Sequence, residues 1–306
     1  MNARQIEVFR TIMRCGTLTG AAQALHVSQP ALSQLLLHAE DQLGFKLFQR
    51  LAGRLVPTPE AELLFPEAER LHRDLEAFRR HAAALRGGTA STLRLAASAP
   101  PALSFVPAAL QAFRQAWPET RLVSFVVPVQ AIVEKLEQGE ADLGIAMNDT
   151  GHAAIQPETI GSSEVICVLP AGHRLAALEE VGPADLQEET LIAYRRDTLP
   201  GMRLDAVFAA AGVPLRPQVE IDVSIIALAF VQAGIGIALV DGLIPWAGFA
   251  GIVARPFRPL VPLPISLLVP TRRPWTRQQA TLREELRRSL AAQAADPAHR
   301  GRLRLA

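Results

Sequence analysis

Only two cysteines occur in the 306 residues, Cys15 and Cys167, far apart and each in apolar surroundings. That scarcity argues against a disulfide-stapled chain; a reduced, cytoplasmic protein with buried thiols is the plain reading, ahead of a redox switch. Long apolar runs are missing as well. No stretch approaches the ~18 residues needed to span a bilayer. The opening MNARQIEVFRTIMRC mixes acid and base in an amphipathic pattern and lacks the apolar core of an export signal. Neither a membrane partner nor export is expected. The seven histidines are scattered without ligand-like spacing, so no metal is expected. No P-loop, HExxH or Ser/His/Asp order appears, and the acids show no pairing suited to glycoside chemistry. Gly234-Ile235-Gly236 lacks the third glycine and the strand–loop–helix setting of a nucleotide loop, so it reads as a helix-to-strand turn. The expectation is no enzyme activity and no cofactor.

Net charge is also small, +1, but unevenly spread. Residues 1–86 hold 11 Lys/Arg against 9 Asp/Glu, residues 87–270 hold 11 against 18, and residues 271–306 hold 9 against 3. An acidic body would confine any contact with a polyanion to the front end. The length is more than one core needs, so two or three domains are expected.

The front end carries the clearest pattern. Ile6, Phe9, Ile12 and Met13 recur at helical spacing and predict a first helix ending near Gly16. Thr19 is placed to cap a second helix, in which Ala21, Ala22 and Ala24 let a neighbour cross closely. His26-Val27 makes a turn, Ser28 caps a third helix, Pro30 falls in its first turn, and Gly44 stops it. Leu32, Leu36, Ala39 and Leu43 would be buried. Ser28, Gln29, Ser33 and Gln34 are then left where they can reach base edges or phosphates. Phe45 and Leu47-Phe48 suggest a short strand, and Arg50, Gly53 and Arg54 a cationic wing for phosphates or the minor groove. Thr58-Pro59 opens a further helix. Along it Leu64, Ala68, Leu71, Leu75, Phe78, Ala82 and Leu85 step alternately by four and three, a seam for a partner helix; Pro66 argues for a kink or a delayed start. Gly87-Gly88-Thr89 reads as a hinge.

GTLTGAAQALHVSQPALSQ, LGFKLFQR and GRLVPTPEA match, in order and spacing, the winged helix-turn-helix of the LysR-type transcriptional regulators. The chain resembles that family along its whole length. It departs from the family in the third helix, where Leu35, Leu36, Leu37 and His38 stand in place of basic or polar side chains and Ala39 replaces a usual leucine. Gln34 is left as the main candidate for direct readout beyond Ser33.

From Thr92 the pattern changes. Strands at Leu93–Ala97, Leu122–Val127 and 142–146 alternate with helices at Ser104–Trp117 and Val129–Gln138. A second set holds strands at Val165–Leu169, Leu191–Tyr194, Val219–Asp222 and Ile237–Val240, with helices at Met202–Ala211 and Ser224–Ala233. Ile265–Val269 and a last helix, Arg277–Leu290, would complete the first sheet. Such alternation predicts parallel sheets covered by helices, in two lobes joined by two crossovers, with a ligand crevice beyond the strand ends. The residues expected to line it are Ser98, Ala99 and Pro100, Met147 and Asn148, Tyr194, Arg195 and Arg196, Ser224, and Asp241. Ser98 and Ser224 open helices, where N–H groups and a hydroxyl favour a carboxylate. Arg195 and Arg196 could clamp one bidentately, and either Asp149 or Asp241 could hold an ammonium. Arg300, Arg302 and Arg304 read as a solvated, disordered tail.

EVICVLPAGHRLA and VQAGIGIALV resemble the effector region of the same family, whose paired lobes resemble periplasmic solute-binding proteins. ADLGIA, YRRDTLPGMRLDAVF and the PTPEA run are most similar to the branch holding the lysine-biosynthesis and opine regulators. The resemblance implies an amino acid or amino-acid derivative as effector.

The fold class expected is thus an N-terminal all-α winged helix-turn-helix with a linker helix, followed by an α/β two-lobed periplasmic-binding-protein-like domain. The divisions are residues 1–59 for the DNA reader, 60–88 for the dimerisation helix and hinge, and 89–306 for the sensor. Lobe 1 takes about 89–162 and 266–306, and lobe 2 about 163–265. The expected partners are double-stranded DNA bearing an interrupted palindrome, a small effector and further copies of the chain in a homodimer or homotetramer, with RNA polymerase admitted as another. A different small carboxylate is the alternative effector. A transport-type binding protein or a bilobal enzyme are the alternative classes, opposed by the DNA-like front end and the lack of a catalytic constellation.

Overall fold

Gly16 and Gly44 close two helices by entering the left-handed region, at φ 68° and 77°, which costs a residue without Cβ little. They bound α1 (Ala3–Cys15) and α3 (Gln29–Leu43), with α2 (Leu18–Ala24) between. The chain, seen in a computed structural model, is described over residues 1–51, 54–85, 92–147, 151–271, 275–296 and 302–306. It forms two compact units, Met1–Gly88 and Thr89–Ala306. The expected hinge at Gly87 and Gly88, and Gly53 of the wing, lie outside the described residues.

In the first unit the cap of α2 is Thr17, not Thr19. Thr17 has the extended backbone a cap requires, and its Oγ1 accepts the Gly20 N–H at 3.1 Å, whereas Thr19 sits inside the helix and faces solvent. Ser28 does cap α3. Val8, Phe9, Ile12, Ala21, Ala22, Leu32, Leu36 and Leu47 fill the core. Strands β1 (Phe48–Leu51) and β2 (Arg54–Pro57) pair antiparallel as the wing. Helix α4 (Pro59–Leu85) starts at once, the Ala61 N–H donating to Thr58 Oγ1, and runs through Pro66 with no delayed start. Its first turns pack on the head: Ala61 and Ala68 are buried there, and Leu64 packs against the same cluster.

The second unit begins with β3 (Thr92–Ala97), α5 (Ala99–Leu103), α6 (Val106–Ala116), β4 (Arg121–Val126), α7 (Val129–Glu137) and β5 (Leu143–Ala146). Strand β6 (Ile155–Pro170) follows, then β7 (Leu191–Tyr194), α8 (Leu199–Ala210), β8 (Val219–Ile221), α9 (Ser224–Gln232), β9 (Ile237–Asp241) and β10 (Ile252–Pro256). Strand β11 (Pro262–Pro270), α10 (Arg277–Ala295) and β12 (Leu303–Leu305) complete it. The sequence suggested parallel sheets, but both are mixed: β3 pairs parallel with β4 and β5, and β7 with β8 and β9, while β6 and β11 run antiparallel to their neighbours.

The cause is β6. It is far longer than the expected Val165–Leu169, pairing with β11 and β12 in its first half and with β9 and β10 in its second. One crossover between lobes is therefore a continuous strand near Ser163–Val165. The other precedes β11, so lobe 1 resumes at Pro262 and not at about 266. The tail also departs from expectation. Residues 303–305 form a strand on β6 with Leu303 buried, so this end is neither disordered nor wholly solvated; Arg300 lies outside the described residues. Among the described residues no helix is long and apolar enough to cross a membrane.

Candidate functional site

Two surfaces collect the candidate residues. On the first unit, Ser28, Gln29 and Pro30 form the exposed start of α3, with Gln34 exposed and Ser33 half-buried one turn on. Thr19 is exposed on α2. Arg50 and Arg54 flank the wing tip on β1 and β2, both exposed, and neither has an ion-pair partner among the described residues. Unpaired guanidiniums on a hairpin are free to meet phosphates.

Glu40 orders this surface, and the sequence reading passed it over. It lies on the buried stripe of α3, 7 % exposed, where a lone carboxylate would be costly. Its Oε1 accepts the backbone N–H groups of Leu47 and Phe48 at 2.8 and 3.2 Å, and Lys46 Nζ donates to Oε2 at 2.8 Å. The third helix is thereby tied to the first residues of the wing. The signal was available: an acid one position past Ala39, among Leu32, Leu36 and Leu43.

The seam of α4 divides. Leu64 faces the head, Leu71 and Phe78 are exposed (46 % and 70 %), and Leu75 is half-buried. The Leu85 side chain lies outside the described residues.

In the second unit the structure brings Tyr194, Ser224 and Asp241 together from the ends of β7 and β9 and the start of α9. Tyr194 OH donates to Asp241 Oδ2 at 2.8 Å, and the Leu243 and Ile244 N–H groups donate to Oδ1 at 3.1 and 3.2 Å. Burial pushes the Asp241 carboxyl up from its ordinary range, while Ser224, Tyr194 and the two amides pull it back. Burial, then the Asp241 charge, keeps the Tyr194 phenol protonated as a donor. The Asp241 carboxylate thus has its acceptors occupied inside lobe 2 and does not stand open for an ammonium group. Ser224 is 1 % exposed; its hydroxyl stands near this pair without an aligned hydrogen bond.

Ser98 precedes α5 at the end of β3, with its N–H donating to the Ile145 carbonyl. Its hydroxyl is buried, the residue being 8 % exposed, and has no hydrogen-bond partner among the described residues. Pro100 and Pro101 remove two N–H groups from the first turn, so the Ala99 amide is the donor left beside it. Met147 is buried at the end of β5, and Asn148 and Asp149 lie outside the described residues. Helix α5 packs against α9, which sets the openings of the two helices in neighbouring lobes.

The structure does not bring Arg195 and Arg196 into this cluster. Arg195 pairs with Asp197 in solvent, and Arg196 donates to the Leu215 carbonyl at 2.7 Å with Asp205 at 3.3 Å. Arg195 already holds Asp197 in a two-point pair and Arg196 faces Asp205, so neither guanidinium is turned to this cluster. The cysteines are both free. Burial pushes the Cys167 thiol up to about 12, so it carries almost no thiolate at neutral pH.

Residues 3–62 match the bacterial regulatory helix-turn-helix protein family, lysR type, and residues 86–291 match the LysR substrate binding domain. The chain is 32 % identical over 293 residues to the regulatory protein NocR of Agrobacterium fabrum (strain C58), covering 95 % of this chain and 98 % of that one. It is 33 % identical over 257 residues to the octopine catabolism/uptake operon regulatory protein OccR of Rhizobium meliloti, covering 84 % and 85 %. The fold is that of full-length CbnR, solved in complex with its target DNA, at a TM-score of 0.66 and 24 % identity over 94 % of this chain and all of that one.

Proposed function

The chain belongs to the LysR family of DNA-binding transcriptional regulators and carries that family's effector-binding domain, and from this premise we propose how its residues divide the work. Residues 1–59 read duplex DNA, with Ser28, Gln29, Pro30, Ser33 and Gln34 entering a groove and Thr19, Arg50 and Arg54 holding phosphates. Residues 60–88 pair two copies through Leu71, Leu75 and Phe78, which would set two recognition helices on the half-sites of a broken palindrome. Residues 89–306 sense an amino acid or an amino-acid derivative between two lobes, in the cytoplasm where the DNA lies.

One observation carries the sensor reading: the buried Ser98 hydroxyl, without a partner among the described residues, stands at the opening of α5, which packs against α9 of the other lobe, where Ser224 lies beside Tyr194 and Asp241. Buried polar groups left unsatisfied call for a ligand or water. The Ser98 hydroxyl and Ala99 amide would donate to a carboxylate on lobe 1, beside Pro100 and Met147, and the Ser224 hydroxyl would take a second polar group on lobe 2. Tyr194 and Asp241 position Ser224 from behind. The octopine operon in the name of the Rhizobium relative supports an amino-acid derivative over an unrelated acid. Binding would favour one inter-lobe angle, and only a difference in affinity between the two states shifts DNA geometry.

The test is a thermal-shift and calorimetric screen of octopine, basic amino acids and small carboxylates, repeated on Ser98→Ala and Ser224→Ala. Saturable stabilisation by an amino-acid derivative, weakened by both substitutions, is expected. Stabilisation only by an unrelated carboxylate would replace the effector class. Ligand binding untouched in both variants would move the site elsewhere.

A further inference from the structure

The tail supplies a cationic wall to a small cavity that none of the candidate effector residues lines. The cavity measures about 50 Å³ and lies where β6 passes from lobe 1 to lobe 2. Its polar lining is Ser162, Ser163 and Glu164 from β6, and Arg302 and Arg304 from the tail. Room for one water needs roughly 10–15 Å³, so this space admits a group of several heavy atoms.

Its chemistry is one-sided. Ser163 is 2 % exposed, and its hydroxyl has no hydrogen-bond partner among the described residues. Arg302 stacks over Trp246 at 5.1 Å, and its buried Nη1 has no partner among the described residues. The single carboxylate present, Glu164, is already engaged: Arg258 Nη1 donates to its Oε2 at 2.9 Å. Arg304 is exposed at the edge. Two guanidiniums and the Ser163 hydroxyl therefore face a space whose one acid among the described lining residues, Glu164, is ion-paired with Arg258 while its charge also reaches Arg302. A buried N–H of a cation without an acceptor is costly, and an oxyanion meets that need with a charge-assisted bond.

We propose that this hinge cavity is a binding site for a small oxyanion, a carboxylate or inorganic phosphate, held by Arg302, Ser163 and Arg304 and closed by the C-terminal strand. The site depends on β12, which pairs with the lobe 1 half of β6 at Gly161–Ser163, while Arg302 reaches Trp246 in lobe 2. An anion held there bridges the two lobes at their pivot. Its binding would be coupled to that of any ligand preferring one lobe angle, and equally in both directions.

The test titrates acetate and inorganic phosphate into the full chain at constant ionic strength against chloride, following thermal stability and tryptophan fluorescence. Saturable stabilisation is expected in the unaltered protein. Arg302→Met should abolish it. Ser163→Ala, which leaves the strand pairing intact, should weaken it by roughly tenfold, as for a lost hydrogen bond to a charged group. Arg302→Lys should retain a weakened response, because a point charge replaces the fork. Response to one anion only assigns the source of the oxyanion. No saturable effect in the unaltered chain overturns the proposal. So does an equal effect in Arg302→Met and in Ser163→Ala, which would place the anions elsewhere, for instance on the wing arginines.

Discussion

At the scale of single residues, the informative positions are polar groups that burial forces into a choice. Glu40 is satisfied: three donors converge on it, two of them the first amides of the wing. Its removal would orphan those amides at the seam between α3 and β1. Glu40→Ala is expected to lower the unfolding free energy of the head by about 2–3 kcal/mol, since each buried donor left unmade costs ~1–3 kcal/mol. Chemical denaturation checks this, and a loss below a few tenths would mean that the wing start rehydrates freely. Asp241 is satisfied as well and serves the interior of lobe 2. Ser98 and Ser163 have no partner among the described residues, and both proposed ligand sites rest on that contrast.

Among elements, α4 and β6 each do two things at once. The first turns of α4 complete the head's core through Ala61 and Ala68, and the later turns leave Leu71 and Phe78 in solvent. The proposed pairing of two copies would cover this exposed apolar strip with a second helix. Phe78→Glu should convert the assembled protein to a smaller species in sedimentation velocity without altering the head's stability. Unchanged sedimentation would rule out this strip as the pairing surface. Strand β6 explains why the sheets are mixed. It continues from one lobe into the next and pairs antiparallel with β11 in the first sheet and with β9 and β10 in the second.

For the whole molecule, a near-neutral chain must confine its contact with DNA to a few well-placed cations. Arg54→Ala should weaken binding to all sequences alike and make the dependence of log K on log salt shallower by about one, the value for one lost phosphate contact. Gel shifts across a salt series measure both. An unaltered slope would remove Arg54 from the DNA face.

Period and punctuation made the head legible from the residues alone. The apolar stripes of α1 and α3, the serine cap, the glycine stops and the paired wing arginines are local signals, and local energetics decides them. Alternation of strands and helices likewise announced two α/β lobes. What the chain could not declare by itself was pairing across distance. That Thr17 rather than Thr19 caps α2 depends on where the backbone is extended. That Asp241 is absorbed by Tyr194 and two amides, and that a basic tail becomes a strand against β6, depend on which atoms meet once the sheets assemble, whereas Arg195 simply turns to Asp197 two residues on. The physical reason is common to these cases: burial sets the cost of an unpaired polar group, and burial is a property of the assembled core, not of any segment.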